Sequence, residues 1–401
     1  MDEMRLDWLI IGGGIHGVHI AGRLLKEAHV HPERLQIVDP GQRLLARWRT
    51  CTQTTGMTNL RSPSVHHLDL DPWALQHFAG ARKFTDPHLF APPYNRPALS
   101  LFNAHCEQFI DDCGLGSLHI QARVMRCSVD CDAVMVKLSN GRILRTRQVV
   151  LAIGASEQPE WPDWLPNPKH RIYHVFEPKF DKWPCSRERV IVIGGGISAG
   201  QVALRLVDEG HQVHLVSRHA FRIHQFDSDP GWLGPKFMSN FRREMDVDRR
   251  RSLIIEARHR GSIPPDVHDG LQHAVKQGGL EVHECGIDSV ISHERGVSMH
   301  LMDGVVIEAQ RALLATGFSA QRPGGALIDD LVLSESLPCA HCGYPIVDDG
   351  LRWHPRIYVA GPLAELELGP VSRNIAGARR AADRIVKAAL AKSSTEMRDV
   401  S

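Results

Sequence analysis

The sequence predicts an α/β protein of two nucleotide-binding units, the second inserted within the first. Three observations predict this. Near the start of the chain a short apolar run ends in a glycine turn and leads into a helical pattern. The same arrangement recurs about 180 positions later. Two further apolar strands each end in an Ala-x-Gly triplet.

The first arrangement begins at Leu6–Ile11, an apolar run broken only by Asp7, which reads as a buried parallel strand. Gly12, Gly14 and Gly17 then fit Gly-x-Gly-x-x-Gly, and a helical pattern runs from Val18 to Ala28. Strand, glycine turn and helix together are the Rossmann-like dinucleotide-binding fingerprint. Gly12 makes the tight turn, Gly14 lets the backbone approach a pyrophosphate, and Gly17 lets the helix pack close to the strand. The helix N-terminus offers free N–H groups and partial positive charge to phosphates. A second strand, Leu35–Val38, ends in Asp39, where a carboxylate can accept a hydrogen bond from a ribose hydroxyl.

Composition narrows the classes. A chain of 401 residues suits two or three domains. With 47 basic and 46 acidic side chains, the net charge of +1 gives no support for nucleic acid or a polybasic membrane contact. No apolar run approaches the ~20 residues of a membrane span. The first apolar run leads straight into the glycine turn, so it does not read as a signal peptide. Nine cysteines, odd in number and scattered, suit a reducing cytoplasm better than a disulfide framework.

Residues 41–71 read as irregular and polar, and long irregular segments are usually functional or disordered. Trp48, Met57 and Arg61 argue against disorder, and the segment is expected either to lie along a bound cofactor or to be a solvated structural loop. His66 and His67 are adjacent and cannot easily face one ion, so no metal is expected there. A proline-rich stretch from Pro87 to Pro97 precedes a helix over Leu99–Cys113. Strands follow over 118–129, 133–138 and 148–153, with a hairpin turn at Asn140-Gly141. The last of them ends in Ala152-Ile153-Gly154, where glycine permits close approach of the backbone to a ligand.

Trp161-Pro162 to Pro168 marks a boundary. The second fingerprint follows: Val190–Ile193, then Gly194, Gly196 and Ala199 as Gly-x-Gly-x-x-Ala, with Ser198 inside the turn and a helix to Glu209. The next strand, Gln212–Val216, ends in Ser217-Arg218 with no acid. An arginine there pairs with a 2′-phosphate, which favours NADPH over NADH. The competing reading of Arg218 is a solvated surface charge. His219 and Arg222 are close enough in sequence to join it. FAD is therefore expected on the first unit and NADPH on the second.

From Gln225 to Asp266 lies an insertion, with a charged helical stretch over Phe237–Arg258 that includes Arg249-Arg250-Arg251. It is expected either to roof the space between the cofactors and form the substrate pocket or to be a solvated excursion. Strand patterns resume from Leu280 to Leu314. Ala315-Thr316-Gly317 then returns the chain to the first unit. A last strand over Arg356–Ala360 ends in Gly361-Pro362, and a helix from near Pro370 carries an apolar stripe at Val371, Ile375, Ala378, Ala382, Ile385, Val386 and Ala389. Its start, with Gly369 and Asn374, is expected to face the flavin. The resulting division is 1–165 and 316–391 for the FAD unit, 186–315 for the NADPH unit with its insertion at 225–266, and a disordered tail over 392–401. Cys339-Ala340-His341-Cys342 leaves three readings: structural residues, a redox dithiol, or half of a zinc site that lacks a second Cys-x-x-Cys.

With these parts in this order, the chain resembles the two-dinucleotide-binding-domain flavoproteins, and among them the NADPH-dependent flavin monooxygenases of the lysine and ornithine N-hydroxylase group. The residues that carry the resemblance are Gly12 to Gly17, the Trp48 to Arg61 loop, Gly194 to Ala199, the insertion, and Ala315-Thr316-Gly317-Phe318. Two departures stand out. The Phe-x-Gly-x-x-x-His signature of flavin-containing monooxygenases is not met, since ending it on His174 puts Pro168 and His170 at the Phe and Gly positions. The acid that follows the late glycine in disulfide reductases is replaced by Pro362. The resemblance implies that NADPH reduces FAD by hydride transfer, that O₂ forms a flavin C4a-hydroperoxide, and that one oxygen passes to a small-molecule amine or other soft nucleophile. The cofactor carries that chemistry, so no protein nucleophile is required. The competing functions are a reductase of a disulfide, quinone or protein partner built on Cys339 and Cys342, and a non-enzymatic nucleotide-binding flavoprotein.

Overall fold

The computed structural model describes residues 6–82, 88–165 and 170–398. Pro87, Pro168 and the last residues of the expected tail, 399–401, lie outside the described residues.

Two parallel sheets form the frame. In the first, strands run in the order Ile357–Val359, Ile143–Leu151, Leu6–Ile11, Leu35–Asp39 and His119–Gln121, all parallel. Leu9, Ile10, Val150 and Leu151 are buried, as the unbroken apolar runs require for strands covered on both faces. A hairpin, Val124–Val129 with Val134–Leu138, joins this sheet through Ile143–Leu151, whose start lies earlier than the sequence pattern placed it. In the second sheet, Leu280–Glu284, Gln212–Ser217, Arg189–Ile193, Arg311–Leu314 and Ile172–His174 are parallel in that order. Ile172–His174 thus joins the second sheet well ahead of residue 186. One face of this sheet packs on the helices Ile197–Asp208 and Pro265–Lys276. The other packs on a three-stranded meander over Ile287–Ala309.

The last helix, Ile375–Arg398, buries the expected apolar stripe and packs against the first helix, Ile15–Lys26, with an Arg23–Asp383 ion pair between them. It continues through Arg398, so the chain from Lys392 to there is helical rather than a disordered tail. Three other elements differ from the sequence reading. Residues 41–71 contain a helix, Ala46–Thr55, whose β-branched threonines and weak apolar periodicity hide it. Its C-terminal carbonyls, Gln53 and Thr54, both accept from the Arg205 guanidinium at 3.0 Å. The stretch Phe237–Arg258 is two helices, Pro235–Arg243 and Val247–Ala257. The break falls at Asp246, whose side chain accepts from the backbone N–H groups of Asp248 and Arg249 and so starts a new helix. A further helix, Gly325–Glu335, lies between the return strand and Cys339.

No helix among the described residues is long and apolar enough to cross a membrane. None of the nine cysteines is in a disulfide.

Candidate active site

The two glycine turns are built alike. The Gly12 N–H donates to Val38 O at 2.9 Å, and the Gly194 N–H donates to Val216 O at 3.0 Å. Both glycines have positive φ, +112° and +146°. Each also lies under the end of an Ala-x-Gly strand. A Cβ on Gly12 would stand 2.5 Å from Ala152 O, and one on Gly194 would stand 2.6 Å from Ala315 O. No side chain fits in either place. Gly17 is close-packed for the expected reason, since a Cβ there would fall 1.8 Å from Gly12 O. Ala199 is buried and plays the same part under the second turn.

Both following helices begin without a cap. Ile15–Lys26 starts after Gly14 and Ile197–Asp208 after Gly196. Neither glycine offers a side chain, and neither first turn carries an acid. Their first N–H groups and the positive end of each dipole are left for an anion. Nothing lies within 4 Å of where a Cβ on Gly14 would be. The ring of His16, beside Gly14, lines the same space. Burial lowers its pKa to about 4, only partly offset by the nearby Asn374 carbonyl, and neither ring nitrogen makes a hydrogen bond of normal geometry. A phosphate and ribose in front of Gly14 would meet these free donors, so the residues present fit a dinucleotide.

Asp39 is where the fingerprint requires it. Its carboxylate accepts from the Gly13 and Gly41 N–H groups, both at 2.7 Å, which fixes it facing the turn. At the second turn the equivalent place is Arg218, exposed and without a side-chain partner among the described residues. Beside it the Ser217 hydroxyl donates to His219 O at 2.7 Å, shaping the corner.

Both turns open into one cleft of about 2760 Å³. A pocket for a drug-sized ligand is usually about 300–1,000 Å³, so this one has room for two dinucleotides. Of the sequence-predicted residues, Gly12, Gly14, Asp39, Trp48, Met57, Arg61, Gly154, Gly194, Gly196, Ser198, Arg218, Gly317 and Asn374 line it. Gly17 and Ala199 lie beneath the turns. Gly361 sits just behind, its φ of +63° bringing the backbone against His16.

Several of these side chains also hold the frame. The Trp48 indole N–H donates to Asn103 at 3.0 Å. Asn374 accepts from the Gly377 N–H at 2.9 Å and so caps the last helix. Arg61 ties the 41–71 segment to the insertion, donating to Gln225 O at 2.7 Å, His224 O at 2.6 Å and the Ser262 hydroxyl at 2.8 Å. Burial lowers its pKa. Pro362 lines the cleft and has no N–H to donate. His174 lies under the cleft floor. It accepts from Phe176 N at 3.1 Å and meets the Thr316 hydroxyl at 3.0 Å, and burial lowers its pKa to about 4.

The insertion reaches the cleft and is anchored across it. Phe226, Asp227, Ser228, Ile254 and Arg258 face the space between the turns. Ile254 also packs with Met238 and Phe241 on Tyr344 and Leu366. Two buried carboxylates bind the insertion down. Glu365, 1% exposed, bridges Arg251 and Arg373, and Glu367 bridges Arg250 at 3.0 Å and Arg384 at 2.8 Å. The Arg249–Arg251 run is therefore no solvated face: only Arg249 is exposed, paired with Glu256. Sequence reading missed Glu365, Glu367 and His16. The only signal was acids within an otherwise apolar segment, Leu363–Leu368.

Cys339 and Cys342 lie on a turn outside the cleft lining, and burial pushes the Cys339 thiol up.

Residues 9–156 match a family model described as FAD-NAD(P)-binding, and residues 116–249 match one described as pyridine nucleotide-disulphide oxidoreductase. The fold is that of the N-hydroxylating flavoproteins. The ornithine hydroxylase of Pseudomonas aeruginosa superposes with a TM-score of 0.77 at 15% identity, covering 96% of this chain and 98% of that one. An ornithine N-hydroxylase from Kutzneria sp. 744, solved with reduced FAD, NADP⁺ and L-ornithine, gives 0.76 at 16% identity, covering 97% and 100%. A bacillithiol disulfide reductase from Bacillus cereus shares the fold at 0.64 and 17% identity, covering 97% and 99%. No curated protein matches the chain by sequence.

Proposed function

We propose that this chain is an FAD-dependent, NADPH-using monooxygenase that oxygenates an amine or another soft nucleophile. The observation that carries the reading is the single cleft into which two uncapped helix N-termini open, roofed on one side by the anchored insertion. FAD bound at the first turn would accept a hydride from NADPH and activate O₂ for transfer of one oxygen atom.

The chain's own residues bind, orient and exclude water. The Gly12–Gly14 backbone and the N-terminus of Ile15–Lys26 would hold the FAD pyrophosphate, and Asp39 its ribose. The Gly194–Gly196 turn would hold the NADPH pyrophosphate, and Arg218 its 2′-phosphate. The insertion closes the space between the two, where a small substrate meets the flavin, and keeps bulk water from it. The fold shared with ornithine N-hydroxylases supports an amine as substrate, and the unpaired cysteines support a reducing, cytoplasmic setting.

Rapid mixing tests the reading. The flavin is reduced anaerobically with NADPH and mixed with oxygenated buffer. A long-lived absorbing intermediate between the reduced and oxidised spectra is expected. Direct return to oxidised flavin with release of H₂O₂ would overturn the oxygenase and leave an NADPH-dependent reductase. That reductase would not use Cys339 and Cys342, which lie away from the cleft.

A further inference from the structure

We propose that His214, Glu281 and His283 form a zinc-binding site on the outer edge of the second sheet, remote from the cleft. Gln212–Ser217 and the edge strand Leu280–Glu284 run parallel, with His214 opposite Glu281 and Val216 opposite His283. Side chains alternate along a strand, so Glu281 and His283 point to one face. His214 reaches the same point from the neighbouring strand.

The three ligand atoms already converge. His214 Nδ1 lies 3.1 Å from His283 Nε2 and 3.4 Å from a Glu281 carboxylate oxygen, and His283 Nε2 lies 3.7 Å from the other oxygen. Ligands about 2.0–2.1 Å from a tetrahedral zinc ion stand about 3.4 Å apart, so an ion fits with little movement of the side chains. The two rings are stacked at 5.3 Å with an interplanar angle of 27°. Among the described residues this is the one group of three or more His, Cys, Asp or Glu side chains with ligand atoms this close. His214 and His283 are largely covered, at 18% and 11% side-chain exposure, whereas Glu281 is 65% exposed. Two imidazoles and one carboxylate with an open, water-facing fourth position make an N₂O set that suits zinc rather than magnesium or calcium. The ion would pin the edge strand to its neighbour. None of the three residues lines the cleft, so the site has no part in the oxygen chemistry.

Sequence reading expected no metal. Glu-x-His plus a single histidine 67 positions earlier has no recognisable ligand spacing, and only the parallel register of two strands joins them.

The test uses FAD-loaded protein treated with chelator and dialysed against micromolar Zn²⁺, in a Cys339→Ser, Cys342→Ser background that removes the Cys-x-x-Cys thiol pair. One zinc ion per chain is expected to bind, and Co²⁺ in its place should give a spectrum without thiolate bands. His214→Gln or His283→Gln should each weaken zinc by at least about tenfold, since even outer-shell changes cost that much. Glu281→Gln, at an exposed position that cannot disturb the fold, should weaken it too while leaving NADPH oxidation unchanged. Absence of saturable binding, a thiolate spectrum, or affinity unchanged in all three variants would overturn the site.

Discussion

Glu365 is the position where one atom group decides both stability and the state of the cleft. Its carboxylate is 1% exposed and lies between Arg251 of the insertion and Arg373 ahead of the last helix, the latter at 2.8 Å. Glu365→Ala leaves two guanidinium groups, 13% and 17% exposed, facing a hole. Removing one partner of a buried ion pair costs about 3–5 kcal/mol, because the remaining charge is uncompensated. Here the arginines keep other contacts. Arg251 stays over the Tyr344 ring at 4.4 Å and donates to Ala320 O at 3.1 Å, and Arg373 donates to the Tyr344 hydroxyl at 2.7 Å. The lower end, about 3 kcal/mol, therefore applies. At ~2.1 cal/mol/K of unfolding entropy per residue, a chain of 401 residues moves by about 1 °C per kcal/mol, so the melting temperature should fall by roughly 3–4 °C. Glu365→Gln, which keeps the shape and an acceptor, should fall by less. The same lesion frees the insertion from its floor, so the fraction of NADPH oxidation that ends in H₂O₂ should rise in step with the stability loss. Thermal melts of FAD-loaded protein and a peroxide assay under turnover measure both. High salt should not erase the difference, because a buried pair is weakly screened. An unchanged melting temperature and peroxide yield in Glu365→Ala would refute the anchor.

Arg218→Ala should weaken NADPH by roughly 10–30-fold, the lower part of what a charge-assisted bond of ~1.5–3 kcal/mol gives, since the side chain is exposed; affinity for NADH should not change, and an unaltered NADPH/NADH ratio would remove Arg218 from the site. His19, His67 and His174 are buried, with pKa values lowered by burial to about 3, 4 and 4. Below the unfolded value near 6.5 the unfolded chain binds protons that the folded chain refuses. Their stabilising effect is thus complete above pH 6.5 and is lost as pH falls towards 4, at about 1.4 kcal/mol per pH unit for each histidine; urea midpoints level between pH 7 and 5 would contradict this. Cys339→Ser with Cys342→Ser should leave turnover and flavin reduction unchanged, and a large loss in single-turnover oxidation would restore the dithiol.

The parts of the site that sequence disclosed are those where geometry forbids alternatives. Gly12 and Gly194 must be glycine because a carbonyl oxygen occupies the place of a Cβ, and Gly17 must be glycine because the helix touches the turn. Residue types so constrained are visible without coordinates. The two cofactor units and the last helix were legible for a related reason: their apolar patterns are long and periodic. The helix Ala46–Thr55 was not, because Arg205, about 150 positions away, supplies the donors at its end. The roof over the cleft was legible as an insertion but not as a fixed one. Its anchors, Glu365 and Glu367, lie more than 100 positions beyond Arg251 and Arg250, the insertion's arginines they hold. Glu281 and His283 likewise become partners of His214 only through strand register.

The placing of Ile357–Val359 and Ile375–Arg398 has a consequence for how the protein emerges from the ribosome. The second sheet is complete once Arg311–Leu314 has been made, but the first sheet lacks its strand beside Ile143–Leu151 until residue 359 is synthesised. The first helix waits longer still for its neighbour, since Asp383 meets Arg23 across 360 residues. Contacts so distant in sequence form late. The inserted unit should therefore fold first, held by a host whose nucleotide cradle is still open along one edge. In that interval residues 149–151, at the apolar end of Ile143–Leu151, are paired on one side only and form an open sheet edge, the kind of surface that chaperones cover and that aggregates when they do not.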